Sequence, residues 1–173
     1  MIEWLYNFFS FASPFSKQRF AVRTPETKAK LQSLAYNQVK VSEAAVTFII
    51  CGLLPDANSL SERLRPFVKS GHMLDAMASD WQEGARTLYA DPQTARDEAL
   101  RTATFGAATL MYAAEAMGLA SGPMIGFDAA AVAREFELDL NEVPALLLPL
   151  GRAMPGNWPQ KPRRPLSEVL EIS

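Results

Sequence analysis

The sequence predicts an α+β fold, rich in helix, with roughly four short strands. Two apolar runs argue for the strands. Ala45–Cys51 (AVTFIIC) and Val143–Leu150 (VPALLLPL) are nearly unbroken, and such short runs read as strands buried on both faces. A third observation argues for the helices: the segment from Asp91-Pro92 to Gly118 carries a start signal at one end and a stop signal at the other. The chain has 173 residues, 49% of them hydrophobic and 21% charged. That is enough for one domain with a real core, and it excludes a disordered chain.

The elements follow in order. Met1–Phe15 (MIEWLYNFFSFASPF) is aromatic, carries Glu3 and lacks a positive leader, so it is a poor signal peptide. A short amphipathic helix, or a segment that packs on a partner chain, fits it better. Arg19–Arg23 (RFAVR) is a short strand. Thr24 caps the next helix and Pro25 opens it, with Ala29, Leu31, Leu34 and Ala35 available for packing. Leu53–Ser61 reads as loop, and two helical stretches follow over 60–70 and 73–89, with Trp81 and Tyr89 as core or interface anchors.

The helix from Asp91 is the strongest in the chain. Ala99, Ala103, Gly106, Ala107, Leu110, Ala113, Ala114 and Met117 recur along it at helical spacing. Small residues let another element come close. The helix is then the central core helix of a monomer, or one that also packs against its twin in a homodimer. Ala120–Phe127 is extended chain or loop, and Asp128 caps a short helix over AAAVAREFE. Pro144 and Pro149 point to an edge strand or a strand end for the second apolar run. The tail from Gly151 is too rich in proline for regular structure until LSEVLEI, a final strand or short helix.

Several function classes have no support. Net charge is −2, which gives no electrostatic case for nucleic acid. No segment has the ~20 apolar residues of a bilayer span, so no membrane role is expected and the cytoplasm is the default location. Cys51 and His72 are single residues of their kinds, too few for a cysteine metal site, and His72 has no nucleophile motif beside it. Two features remain. SGPMIGF, residues 121–127, is either a plain loop or a place where backbone must approach something flat. KPRRP, residues 161–165, is a basic surface tail or a phosphate clamp, since the arginine fork suits phosphate.

The ordered segments RFAVRTPETKAKL, EAAVTFIICG, GLASGPMIGFD, VPALLLPLGRA and PQKPRRPLSEVL resemble the FMN-dependent nitroreductase family from Arg19 to the C-terminus. The resemblance implies an α+β fold with a central, mostly antiparallel sheet flanked by helices, and a homodimer formed through long helices with FMN at its interface. It divides the chain into a divergent segment, 1–18, and one nitroreductase-like domain, 19–173, with an extended tail. It places Pro123, Met124, Ile125, Gly126 and Phe127 against the isoalloxazine ring, with backbone N–H groups facing flavin N5. Gly126 suits close backbone approach, and Met124 and Ile125 would add apolar contact. Arg163 and Arg164 match the phosphate position, with Lys161 as a third cation, and the tail would reach over the partner subunit. NADH or NADPH would deliver hydride to the flavin, which then reduces a nitroaromatic, quinone or similar small acceptor. No catalytic side chain is needed on this route, because the cofactor carries the chemistry.

The N-terminus departs from the family. An Arg-Arg-Ser-type phosphate motif is missing, and SPFSKQRF stands where the family carries Ser-x-x-Asn-x-Gln-Pro-Trp. Ser13 or Ser16, with Gln18, are the remnants, and Lys17 and Arg19 the substitutes. Three readings therefore compete: a working flavin reductase with a remodelled start, a flavin-poor relic of the fold that acts as a binding or interaction protein, or a chain whose start is truncated or misassigned relative to the natural gene.

Overall fold

The computed structural model describes residues 16–156, 159 and 161–172. The expected N-terminal helix or docking segment, Ser13 included, lies outside these residues. In chain order the elements are β1 (Ser16–Val22), α1 (Pro25–Leu34), α2 (Lys40–Glu43), β2 (Val46–Leu53), a 3-10 turn (Ala57–Ser59), α3 (Leu60–Lys69), α4 (Asp75–Leu88), α5 (Pro92–Ala116), β3 (Ala120–Ser121), α6 (Ala129–Glu135), β4 (Glu142–Gly151) and a 3-10 turn (Leu166–Glu168). The strands form one antiparallel sheet in the order β1-β2-β4-β3. The expected α+β class is what forms.

Local chemistry explains the helix starts. The Thr24 hydroxyl accepts from the N–H of Thr27, and the Asp128 carboxylate from that of Ala131 at 2.9 Å. Asp91 accepts from the N–H groups of Gln93 and Thr94 and from the Thr94 hydroxyl at 2.7 Å. The Thr94 hydroxyl, then the two backbone donors, hold the Asp91 carboxyl below the ordinary carboxylate range.

The sheet is buried on both faces at β2 and β4. On one side α5 covers Phe48, Ile50, Leu146, Leu148 and Leu150. On the other, α1, α2 and α6 bring Leu31, Val41 and Val132 against Ile49, Cys51 and Leu147. The small residues of α5 are what let it sit this close. Ala99, Ala103, Ala107 and Ala114 are buried against the strands. At Gly52 a β-carbon would fall 2.1 Å from the Ala99 carbonyl oxygen. Of the two partners open to this stripe, the chain's own core takes it, although Met117 at its end stays exposed.

Two expectations are corrected. The prolines of β4 do not put it at the edge, because it pairs with β2 along its length and with β3 on its other side. Pro144 lies at a register shift opposite the Ile50/Cys51 step, where a bulge tolerates a missing donor. Pro149 accepts from the N–H of Gly122. In an antiparallel strand a residue's N and O point the same way, so its ring nitrogen also faces the β3 side and spares the ladder to β2. The second correction concerns LSEVLEI, where the strand alternative fails and the short helix holds: Leu166–Glu168 is an exposed 3-10 helix. Four consecutive residues of sheet need a neighbour to bond to, and the proline-spaced tail meets none within the described chain.

Candidate functional site

The SGPMIGF segment runs along the outer edge of β4, just past the two-residue strand β3. Met124 exchanges both backbone hydrogen bonds with Leu147, at 2.9 Å each. This pairing sets the side-chain directions. Met124 and Phe127 turn inward and join the core beside Leu31 and Val132. Pro123 and Ile125 turn outward, and Ile125 is 81% exposed. Of the five residues expected to line a flat ligand, two therefore serve the core with their side chains. The expected apolar contact from Met124 is corrected on this ground: its thioether is buried away from the edge.

The backbone of the same segment is left open. Among the described residues the N–H groups of Ile125 and Gly126 have no hydrogen-bond partner. Each belongs to a peptide whose carbonyl is anchored. The Met124 carbonyl accepts from Leu147, and the Ile125 carbonyl from the N–H of Phe127 at 3.1 Å. Among the described residues there is no cis peptide bond. In a planar trans peptide the N–H points opposite to its carbonyl, so the Ile125 donor is aimed away from β4 and the Gly126 donor away from the Phe127 N–H that holds its peptide. Fixed backbone donors of this kind can meet an electron-rich ring atom or a developing negative charge without reorganising.

A second segment borders this edge, and sequence reasoning missed it. Gln38 donates from Nε2 to the Gly126 carbonyl at 2.9 Å. A β-carbon at Gly126 would stand 3.0 Å from that nitrogen and 4.0 Å from the Tyr36 ring; one at Gly122 would stand 3.9 Å from the Lys40 side chain. Residues 36–40 thus flank residues 122–126 with an aromatic ring, an amide and a cation. The only signal in sequence was the run YNQVK after a helix, which has no fixed meaning without its neighbour.

The tail is placed apart. Arg163 and Arg164 are both exposed, and Arg164 bonds the Glu168 carboxylate through Nε at 3.1 Å. No hydrogen bond or ion pair among the described residues joins either arginine to residues 122–126. Lys17 and Arg19 lie on β1, and their side chains fall outside the described part.

The model of the Nitroreductase family matches residues 10–152. A Bacillus subtilis (strain 168) protein named "Putative NAD(P)H nitroreductase YodC" is 30% identical over 145 residues, covering 83% of this chain and 71% of its own. The chain belongs to the nitroreductase family. The solved structure of ydfN from Bacillus subtilis superposes with a TM-score of 0.90 at 23% identity, covering 99% of this chain and 86% of that one. A protein from Exiguobacterium sibiricum, solved in complex with FMN, gives 0.82 at 20% identity, covering 100% and 87%. The expected nitroreductase fold and an oxidoreductase function follow from membership. The family match includes the 122–126 edge and ends before the tail arginines.

This nitroreductase presents a second surface beside the site. On α5, opposite the stripe that packs on the sheet, Phe105 and Tyr112 are 74% and 78% exposed, two turns apart on one face. The tail adds exposed Leu166, Val169, Leu170 and Ile172. A helix face is this apolar in water when something covers it. Sequence reasoning pointed to the alanine stripe for a dimer; the aromatic face is the one left free. Trp81 on α4 is likewise exposed rather than part of the core. No helix among the described residues is long and apolar enough to cross a membrane.

Proposed function

We propose that this nitroreductase binds FMN against the Ile125–Gly126 backbone and uses it to pass electrons from NADH or NADPH to nitroaromatics, quinones or similar small acceptors. The observation that carries this reading is the pair of unpartnered, rigidly aimed N–H groups at Ile125 and Gly126. A flat heteroaromatic with acceptor atoms fits that edge, and Gly126 leaves the close approach free of a side chain. FMN, when bound, supplies hydride acceptance and return at its N5 atom. The Ile125 and Gly126 N–H groups hold the ring in place and orient that atom. Ile125 gives apolar contact, and Lys40 brings a cation to the same edge. Burial of Met124 and Phe127 anchors the segment so that the donors do not drift.

The phosphate end falls to Arg163 and Arg164, with Lys161 beside them. Arg163 has no ion pair among the described residues and is the freer of the two arginines. In the proposed enzyme the tail of one copy reaches over the 122–126 edge of another in a homodimer, with α5's Phe105 and Tyr112 face buried between copies. The visible absorbance spectrum of the purified chain, before and after incubation with FMN and desalting, tests the reading. A retained flavin spectrum, with NAD(P)H oxidation dependent on an added acceptor, is expected. A colourless protein after reconstitution overturns it, and the fold then serves as a binding or interaction protein.

A further inference from the structure

Gln38 reaches Gly126 from 88 positions away along the chain, and the turn that delivers it is strained. Helix α1 ends at Leu34, and Tyr36 and Asn37 both take left-handed backbone angles, with φ of 52° and 57°. Neither is glycine, and bulky residues avoid this region. The turn is nevertheless held from several sides. The Asn37 N–H donates to the Gln32 carbonyl at 3.0 Å, the Gln38 N–H to that of Ala35 at 3.1 Å, and the Val41 N–H to that of Gln38 at 3.0 Å. The result is a half-buried amide fixed beneath one carbonyl.

That carbonyl matters because of the residue that bears it. Gly126 sits between two peptides. In the first, from Ile125, the N–H is free and the carbonyl accepts from Phe127. In the second, leading to Phe127, the N–H makes that bond and the carbonyl accepts from Gln38. Glycine alone would let the second peptide rotate. Rotation would carry the Phe127 N–H off the Ile125 carbonyl and release the first peptide with it. The Gln38 amide closes this route.

We propose that Gln38 is a positioning residue: it fixes the Gly126 peptide so that the Gly126 N–H stays aimed at the ring nitrogen of the bound flavin. The inference rests on the flavin reading. A donor at that nitrogen favours the oxidised ring, where the nitrogen is a pure acceptor, over the reduced ring, where it carries its own hydrogen. Loss of Gln38 therefore weakens the oxidised complex more than the reduced one.

The test compares the parent chain with Gln38→Ala and Gln38→Glu, using FMN affinity and the midpoint potential of the bound flavin. In Gln38→Ala the oxidised complex should weaken about tenfold, the scale of one net hydrogen bond. If the reduced complex is unchanged, the two-electron potential rises by about 30 mV. Gln38→Glu should bind FMN less well than the parent near neutral pH. The ratio to the parent should close as the carboxyl protonates and donates again. A parent chain that takes up no FMN overturns the flavin reading and this role together. A parent that binds FMN while Gln38→Ala keeps the same affinity and potential overturns the role of Gln38 alone. Weaker binding with an unchanged potential also overturns it, since general loosening affects both redox states alike.

Discussion

Replacing Gly52 by alanine should loosen the molecule at its tightest contact. The added β-carbon would lie 2.1 Å from the Ala99 carbonyl oxygen and 2.4 Å from its carbon. To bring the closest of these approaches out to even 3.0 Å, helix and strand must part by about 0.9 Å, because backbone cannot rotate aside as a side chain tip can. Gly52 pairs with Ser16 on one side and Val143 on the other, so the strand has little room to retreat. The helix is held in turn, since the same α5 packs Ala103, Ala107, Leu110 and Ala114 onto the sheet. Overpacking of this kind costs about 1–3 kcal/mol, and a displaced helix backbone puts the value at the upper end. Urea denaturation of Gly52→Ala should show a lower midpoint with an unchanged slope. Gly84→Ala, in the middle of α4 with no atom within 4 Å of the new carbon, is the control. It should be neutral or gain up to about 1 kcal/mol from helix propensity. A Gly52→Ala midpoint equal to that of the parent would refute the close-contact argument.

Further expectations concern the site and its surroundings. Arg163→Ala should weaken FMN binding by about tenfold or more, the scale of one charge-assisted phosphate contact, and by more than Arg164→Ala, whose arginine is shared with Glu168; equal or absent effects in a fluorescence titration would remove the tail from the phosphate site. Gly126→Val should abolish flavin retention on desalting while leaving the circular dichroism spectrum intact, because the new side chain meets the Gln38 amide and covers the donor edge. Phe105→Glu together with Tyr112→Glu should leave a monomer by light scattering at micromolar concentration if the aromatic face of α5 is the contact between copies. Asp91 binds its proton less readily folded than unfolded, so its contribution to stability is present above the ordinary carboxyl range and is lost as pH falls through the folded value. Asp91→Asn, which can still cap, should therefore lose less stability than the parent on acidification, read as the shift of the urea midpoint.

How much of this was legible in the sequence depends on the range of the interaction. Asp91-Pro92, Thr24-Pro25 and Asp128 announce helices because a cap is a contact between near neighbours, and each forms where expected. AVTFIIC announces a strand buried on both faces because both faces are written in consecutive residues. The alanine stripe of α5 was legible as a surface for close approach, but its partner was not, since a small side chain fits a sheet as well as a second helix. The prolines of β4 misled for a related reason. Whether a missing N–H matters depends on which neighbour it faces, and that is set by register. At the site, SGPMIGF was legible as unusual backbone. That Met124 and Phe127 point inward required the Leu147 pairing, and Gln38 required contact across the whole fold.

The edge position of the site follows from how the sheet stops. β3 pairs with β4 for two residues only, at Gly151 and Leu150, and beyond it Pro149 takes a bond from Gly122 without returning one. The chain regains β4 once more, at Met124 and Leu147, and then leaves before Ile125. A longer β3 would have drawn Gly126 into the ladder with β4 and left only the outward N–H groups of an ordinary edge strand. A shorter contact, without the Met124 pair, would have left the donors loose. The single pairing after the strand's end is what yields N–H groups that are both unpartnered and fixed. Under the flavin reading Gly126 would let the ring come close, and Gln38 would remove the freedom that glycine brings. The proline in β4, which looked like a flaw in a strand, is thus part of what ends the sheet where a cofactor edge can begin.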